Sequence, residues 1–383
     1  MVGVTQPLYV PALRMKAGEL SGLRDLASDV ADHVLPRMVV PPPGERDQSL
    51  EMQLFKIEDE PNVADALAAH WRHRSVFVEA TYLFSEFGRE TVGRWLPRMF
   101  ERARHAGVAA IPLVTSADLT SDTRRAYQLA CAPGPVRLGV VVPSGSLVGR
   151  DEVLRLLDHL AAMSLSPADC AIIADFADAE FSEAEIVAPI IGGALELLQE
   201  LGLWRLVVFQ GTNYPDRNPA DPGSNCAIPR TEWMAWRRAV RFDPATAEHL
   251  VFGDYAADCA VMVFGAGGGR AFRHYRYATS DTWLVHRGED RGTDAAVMRD
   301  VCRRILDSGQ FAGRTFSSAD EYIFQTAHGQ AGPGNPTIWR AVNTTHHTTR
   351  VIADIGQVRG LVLRRSAAQP PPIQQDMFTG RSG

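Results

Sequence analysis

At 383 residues with 45% hydrophobic side chains the chain can bury one large α/β core or two ordinary ones, and its net charge of −6 gives no global reason to bind a phosphate backbone. Five cysteines (Cys131, Cys170, Cys226, Cys259, Cys302) stand singly with no Cys-x-x-Cys, which argues against a disulfide framework or a cysteine zinc site and for a reducing cytoplasm. The opening Met1 to Gln6 lacks a basic region followed by an apolar core, and no apolar run of roughly 18 residues occurs, so neither export nor membrane insertion is expected.

The first strand is expected at Leu8 to Leu13, followed by a helix from Ala17 to Ala31 with Leu20, Leu23, Leu26 and Val30 on one face. Val34 to Val40 reads as the second strand, stopped by Pro41-Pro42-Pro43-Gly44 because proline donates nothing to a ladder. Residues 45–60 form an acidic connection. A helix from Pro61 to Trp71 leads to a third strand, Ser75 to Ala80, and a helix from Glu90 to Ala106 to a fourth, Val108 to Thr115. A helix from Ser121 to Ala130 precedes the fifth strand, Val136 to Val142, and one from Asp151 to Met163 the sixth, Ala171 to Asp175. The long helix Ser182 to Leu201 leads to the seventh, Arg205 to Phe209, whose continuous apolar run suits a parallel strand buried on both faces. After a Pro/Asn/Asp/Gly-rich loop from Tyr214 to Pro229, a helix from Thr231 to Val240 precedes the eighth, Leu250 to Tyr255. Eight strands alternating with helices predict a (β/α)8 TIM-barrel-like fold, whose chemistry collects at the carboxyl ends of the strands.

Beyond the eighth strand the pattern breaks. Ala271 to Tyr277 and Thr282 to Arg287 have the layout of an added hairpin, over about 271–287. Helices near Asp294 to Leu306 and Ser318 to His328 follow, the first of them a candidate for the barrel's eighth helix. Residues 1–365 are therefore expected to form a single domain, with 366–383 as a disordered Pro-rich tail.

If the barrel forms, the strand ends bring Glu79, Asp175, Gln210 with Asn213, and Asp254 with Tyr255 to one mouth. Glu79 and Asp175 are the candidate acid/base pair, or hard oxygen ligands for a divalent cation, and strand-end acids that cap the next helix are the bland alternative. No motif specifies a cofactor, and no metal-ligand set is assigned. His346-His347, read as strand residues, point to opposite faces, so His347 can enter the site as a catalytic base beside Arg340, with a packed histidine as the alternative. Gly265 to Gly269 lacks the Lys-Ser/Thr of a phosphate loop and reads as a linker. Arg273, Arg276, Tyr277 and Trp283 interleave charge with aromatic rings, a face for nucleic acid if exposed and for packing if not; the acidic balance favours packing.

In the tail, Gln374-Gln375-Asp376-Met377-Phe378 resembles the pentapeptide that binds the bacterial DNA sliding clamp. Met377 and Phe378 would fill an apolar pocket while Gln374 hydrogen-bonds at its rim, and Asp376 takes the small-or-acidic position of the pattern. Across most of the chain, Tyr9 to Lys16, the Pro-rich end of the second strand, Arg276-Tyr277 to Gly288 and Trp339 to His347 resemble the bacterial and phage beta family proteins. The resemblance implies a protein encoded near mobile or defence genes, with a partner encoded nearby, and carries over no catalytic residues. The leading expectation is a recognition component of a phage-defence or mobile-element system, recruited to the clamp by its tail. The alternative is a barrel hydrolase acting on a phosphate- or sugar-containing substrate, with Glu79 and Asp175 as acid/base and Arg276, Arg340 or His347 as the electrophilic side.

Overall fold

All eight apolar runs become strands of one closed parallel barrel in the computed structural model, which describes residues 7–46, 61–147, 149–177, 179–181, 183–242, 250–256, 258–260 and 273–361. In chain order they are β1 (Tyr9–Arg14), β2 (Arg37–Val39), β3 (Ser75–Glu79), β4 (Ala109–Thr115), β5 (Leu138–Pro143), β6 (Cys170–Asp175) and β7 (Leu206–Gln210), closed by β9 (Leu250–Asp254) after an intervening β8 (Asn225–Pro229). Closure is by β9 pairing with β7 on one side and β1 on the other. Side chains alternate across each strand, so Val10, Phe77, Leu113, Val141, Ile173 and Val208 fill the barrel while their neighbours pack on the helices. No helix among the described residues is long and apolar enough to cross a membrane.

The eighth helix of the barrel is not the segment near Asp294 but the last one, Pro336–Arg359. It runs antiparallel to β9: His347 meets Asp254 at the strand's carboxyl end, and Arg359 Nη2 donates to the Leu250 carbonyl at its start, 2.6 Å away. It crosses helix Ala17–Arg24 closely, because Gly18 and Gly22 bring the backbones together; a Cβ on Gly22 would lie 2.7 Å from Thr344 Cβ. The reading of His346-His347 as strand residues is thus corrected: both lie in this helix. Its threonines and histidines favour strands, but Asn335 caps the first turn by accepting from Ile338 N at 3.0 Å, Pro336 presets φ, and Gly360 closes the end in the left-handed region. Burial on nearly every side supplies what propensity lacks, and Thr349 Oγ1 returns its hydrogen bond to the Thr345 carbonyl at 2.8 Å.

The hairpin, β10 (His274–Ala278) and β11 (Thr282–Arg287), is part of a three-stranded antiparallel sheet of order β10-β11-β8. Its third strand lies in the stretch expected to be loop, Tyr214 to Pro229. Helices Asp294–Asp307 and Ser318–Ala327 cover this sheet through Met298, Val301, Cys302, Ile305 and Ile323. The same packing overturns the idea of an aromatic face for bases. Tyr275, Tyr277 and Trp283 are each 1% exposed, and Tyr277 lies on His346 with its hydroxyl donating to Asp320 Oδ1 at 2.7 Å. The glycine stretch Gly265 to Gly269 and the tail motif Gln374, Asp376, Met377 and Phe378 lie outside the described residues.

Candidate functional site

The upper layer of the barrel interior is built around Arg37, on β2. Its guanidinium donates from Nε to Glu79 Oε2 at 2.8 Å, and from Nη1 to Asp175 Oδ2 at 3.0 Å and to Gln210 Oε1. Tyr255 donates its hydroxyl to both oxygens of Asp175, at 2.7 and 2.8 Å, and Thr81 Oγ1 reaches Glu79 Oε1 at 3.3 Å. Glu79, Asp175, Gln210 and Tyr255 are therefore brought together, with an arginine between the two carboxylates. Burial opposes the guanidinium charge, but Glu79 and Asp175 outweigh it and hold Arg37 protonated more firmly than usual. With Arg37, Glu79 and Asp175 at 6%, 5% and 9% exposure, the triad is almost sealed from solvent. This corrects the picture of two acids facing each other: each carboxylate is compensated by a shared cation, not by repulsion from its twin.

Asp254 does not join them. Along β9, Val251 faces the barrel while Leu250 and Phe252 face the helices, and Asp254 follows the outward set. Its carboxylate accepts from His347 Nε2 at 2.7 Å, from Ala256 N at 2.8 Å and from the Tyr9 hydroxyl; the interior sees only its backbone carbonyl, which accepts from Gln210 Nε2 at 3.3 Å. Burial works against charge on Asp254, yet His347 and these hydrogen bonds prevail and keep the carboxyl below its ordinary value. Burial likewise disfavours charge on His347 and lowers its pKa, against the pull of Asp254. The ring is fully buried and stacks on Trp283 at 4.5 Å. Beside it, Arg230 donates to the Thr279 carbonyl at 2.7 Å and to Asp354 at 3.2 Å. Glu232 accepts from Asn213 N at 3.1 Å, and burial pushes its carboxyl up to about 7.

At the rim, Asp258 gathers three arginines: Arg276 Nη1 at 2.6 Å, Arg340 Nη1 at 2.5 Å and Arg14 Nη2 at 3.7 Å. Burial disfavours its charge, but Arg340, Arg276 and Arg14 hold it well below the usual carboxylate range. Arg276 also lies over the Tyr214 ring, 4.6 Å from its centre. Of the candidates, Arg276 and Arg340 thus share one rim cluster. Asn213 holds a loop by donating to the Pro229 carbonyl at 3.1 Å, and Tyr277 belongs to the core of the added sheet.

Arg37, Tyr9, Arg230, Glu232 and Asp258 were not among the residues expected from sequence. For Arg37 a signal existed: it is the one charged residue in the otherwise apolar run Val34 to Val40, and a cation in a strand buried on both faces requires an internal acid. Among the described residues no group of three or more His, Cys, Asp or Glu is placed to hold a metal ion. A family model described as Beta protein matches residues 9–353, a span that takes in all eight barrel strands, the added sheet and most of the last helix. No curated protein matches the chain.

Proposed function

The chain belongs to the Beta protein family, and from that premise we propose that it is a cytoplasmic recognition component of a phage-defence or mobile-element system. The observation that carries this reading is Arg37 set between Glu79 and Asp175: the strongest catalytic candidates are spent on an internal cation, and His347 is spent on Asp254. What the mouth offers a partner is the rim, where Arg14, Arg276 and Arg340 surround Asp258. We read residues up to 365 as one folded unit and 366–383 as its tail. In this reading the clamp is held through Gln374, Asp376, Met377 and Phe378 of that tail.

Affinity purification of the full chain and of a chain ending at Arg365 tests this. Clamp enriched by the full chain alone, and saturable binding of the tail peptide that Phe378→Ala abolishes, are the expected results. Equal clamp recovery from both chains, or a peptide indifferent to Phe378→Ala, would remove the recruitment step.

The hydrolase reading draws support from the convergence of Glu79, Asp175 and Tyr255 on one interior position. Turnover of a phosphate or sugar ester that disappears in a folded Glu79→Gln variant would favour it over recognition.

A further inference from the structure

The opposite end of the barrel also carries a concavity. A groove of about 830 Å³ crosses the foot, between the segments that lead into the strands. Volumes of this size are typical of small-molecule sites, which occupy about 300–1,000 Å³. Its floor is apolar, with Leu35, Ile111 and Leu206, and its walls carry Arg74, Arg104, Arg137 and Arg205 against a single acid, Asp32. Against a chain whose net charge is −6, four arginines facing one acid in a concave site are a local inversion of sign.

Three of these arginines stand immediately before odd-numbered strands: Arg74 before β3, Arg137 before β5 and Arg205 before β7. Their backbones are tied into the ladder: the Arg74 carbonyl accepts from Ala109 N at 3.1 Å, Arg137 N donates to the Asp169 carbonyl at 2.8 Å, and Arg205 N to the Cys170 carbonyl at 3.0 Å. The cations are thus fixed at their roots, the preorganisation that an anion site requires. Their existing partners are weak. Arg74 pairs with an Asp32 that is 61% exposed, Arg137 lies 3.8 Å from Asp169, and the buried Nε of Arg137 has no partner. Burial also lowers the pKa of Arg104, so an anion nearby would restore what its charge loses. At the same edge His73 sits at φ 62°, in the left-handed region that costs a residue with a Cβ, held there by its N–H donating to the Gly107 carbonyl at 2.8 Å.

We propose that this groove binds a small organic phosphate, its phosphate between Arg74, Arg137 and Arg205 and its organic body on the apolar floor. The proposal does not depend on the recognition reading of the mouth.

Isothermal titration of the full chain with ADP, and separately with inorganic pyrophosphate, tests it. ADP is expected to bind saturably, and pyrophosphate more weakly because it lacks a body to cover the floor. Arg137→Ala with Arg205→Ala should weaken ADP by about tenfold or more, the scale of a lost hydrogen bond to a charged group. Arg205→Glu, at an exposed position, should do the same without burdening the fold. Four outcomes would overturn the proposal: no saturable heat with either probe at millimolar concentration; ADP affinity unchanged in these variants; affinity lost instead on Arg340→Ala, which would move the site to the mouth; or saturable binding of a single-stranded oligonucleotide alone.

Discussion

Replacing Arg37 with methionine removes the cation at the centre of the upper barrel layer while keeping most of its volume, so the result is set by charge rather than by a cavity. Glu79 and Asp175 lose partners at 2.8 and 3.0 Å, and at 5% and 9% exposure they gain little from water in exchange. Stranding buried charges by removing one partner costs about 3–5 kcal/mol, and the low exposure leaves no reason to discount that range for screening. Adding Glu79→Gln and Asp175→Asn removes both stranded charges and should recover most of the loss, because a neutral polar layer can hydrogen-bond internally. Urea unfolding followed by tryptophan fluorescence measures both the loss and its recovery. A loss below about 1 kcal/mol, or one that survives the compensating substitutions, would refute the view that Arg37 holds this layer together.

Further outcomes follow from other parts of the fold. Burial, with Arg304 nearby, lowers His286 from 6.5 to about 4, so its contribution is complete above 6.5 and is lost as pH falls toward 4; roughly 3 kcal/mol should disappear over that window, and His286→Leu should flatten it in a pH series of denaturation midpoints. Gly22→Ala drives a methyl to 2.7 Å from Thr344 Cβ and 3.0 Å from the Ala341 carbonyl, and should lower stability by about 1–3 kcal/mol in the same assay even though alanine is the better helix former; a stabilised variant would mean that the last helix does not dock as described. Trp283→Ala removes a buried ring stacked on His347 and should cost about 3–5 kcal/mol; a normally stable variant that selectively loses single-stranded DNA binding would restore the nucleic-acid reading of the hairpin.

The barrel was legible because its strands are buried on both faces: runs such as Ala171 to Asp175 and Leu206 to Phe209 leave no polar alternative to a parallel core strand. β8 was not, since Asn225–Pro229 alternates between exposed and half-buried residues, and only pairing with β11 makes it a strand. The last helix was hidden by its own composition, as Asn343 to Thr349 contains four threonines and two histidines, and tertiary burial overrides their preference. In the site, strand-end position located Glu79, Asp175 and Gln210, whereas Asp254 shows why position alone is insufficient. Counting back in twos from Asp254 reaches Phe252 and Leu250, which pack on helices, while Val251 lies inside; the parity that sends the acid outward was already present in the strand. The same parity places Arg37 inside with Leu35, and an interior arginine obliges the interior to supply acids. Glu79 and Asp175 meet that obligation, so each is explained by the barrel's own charge balance before any substrate is invoked. A catalytic role for either must therefore be demonstrated against Arg37, by turnover that changes when one carboxylate is neutralised and the guanidinium is retained.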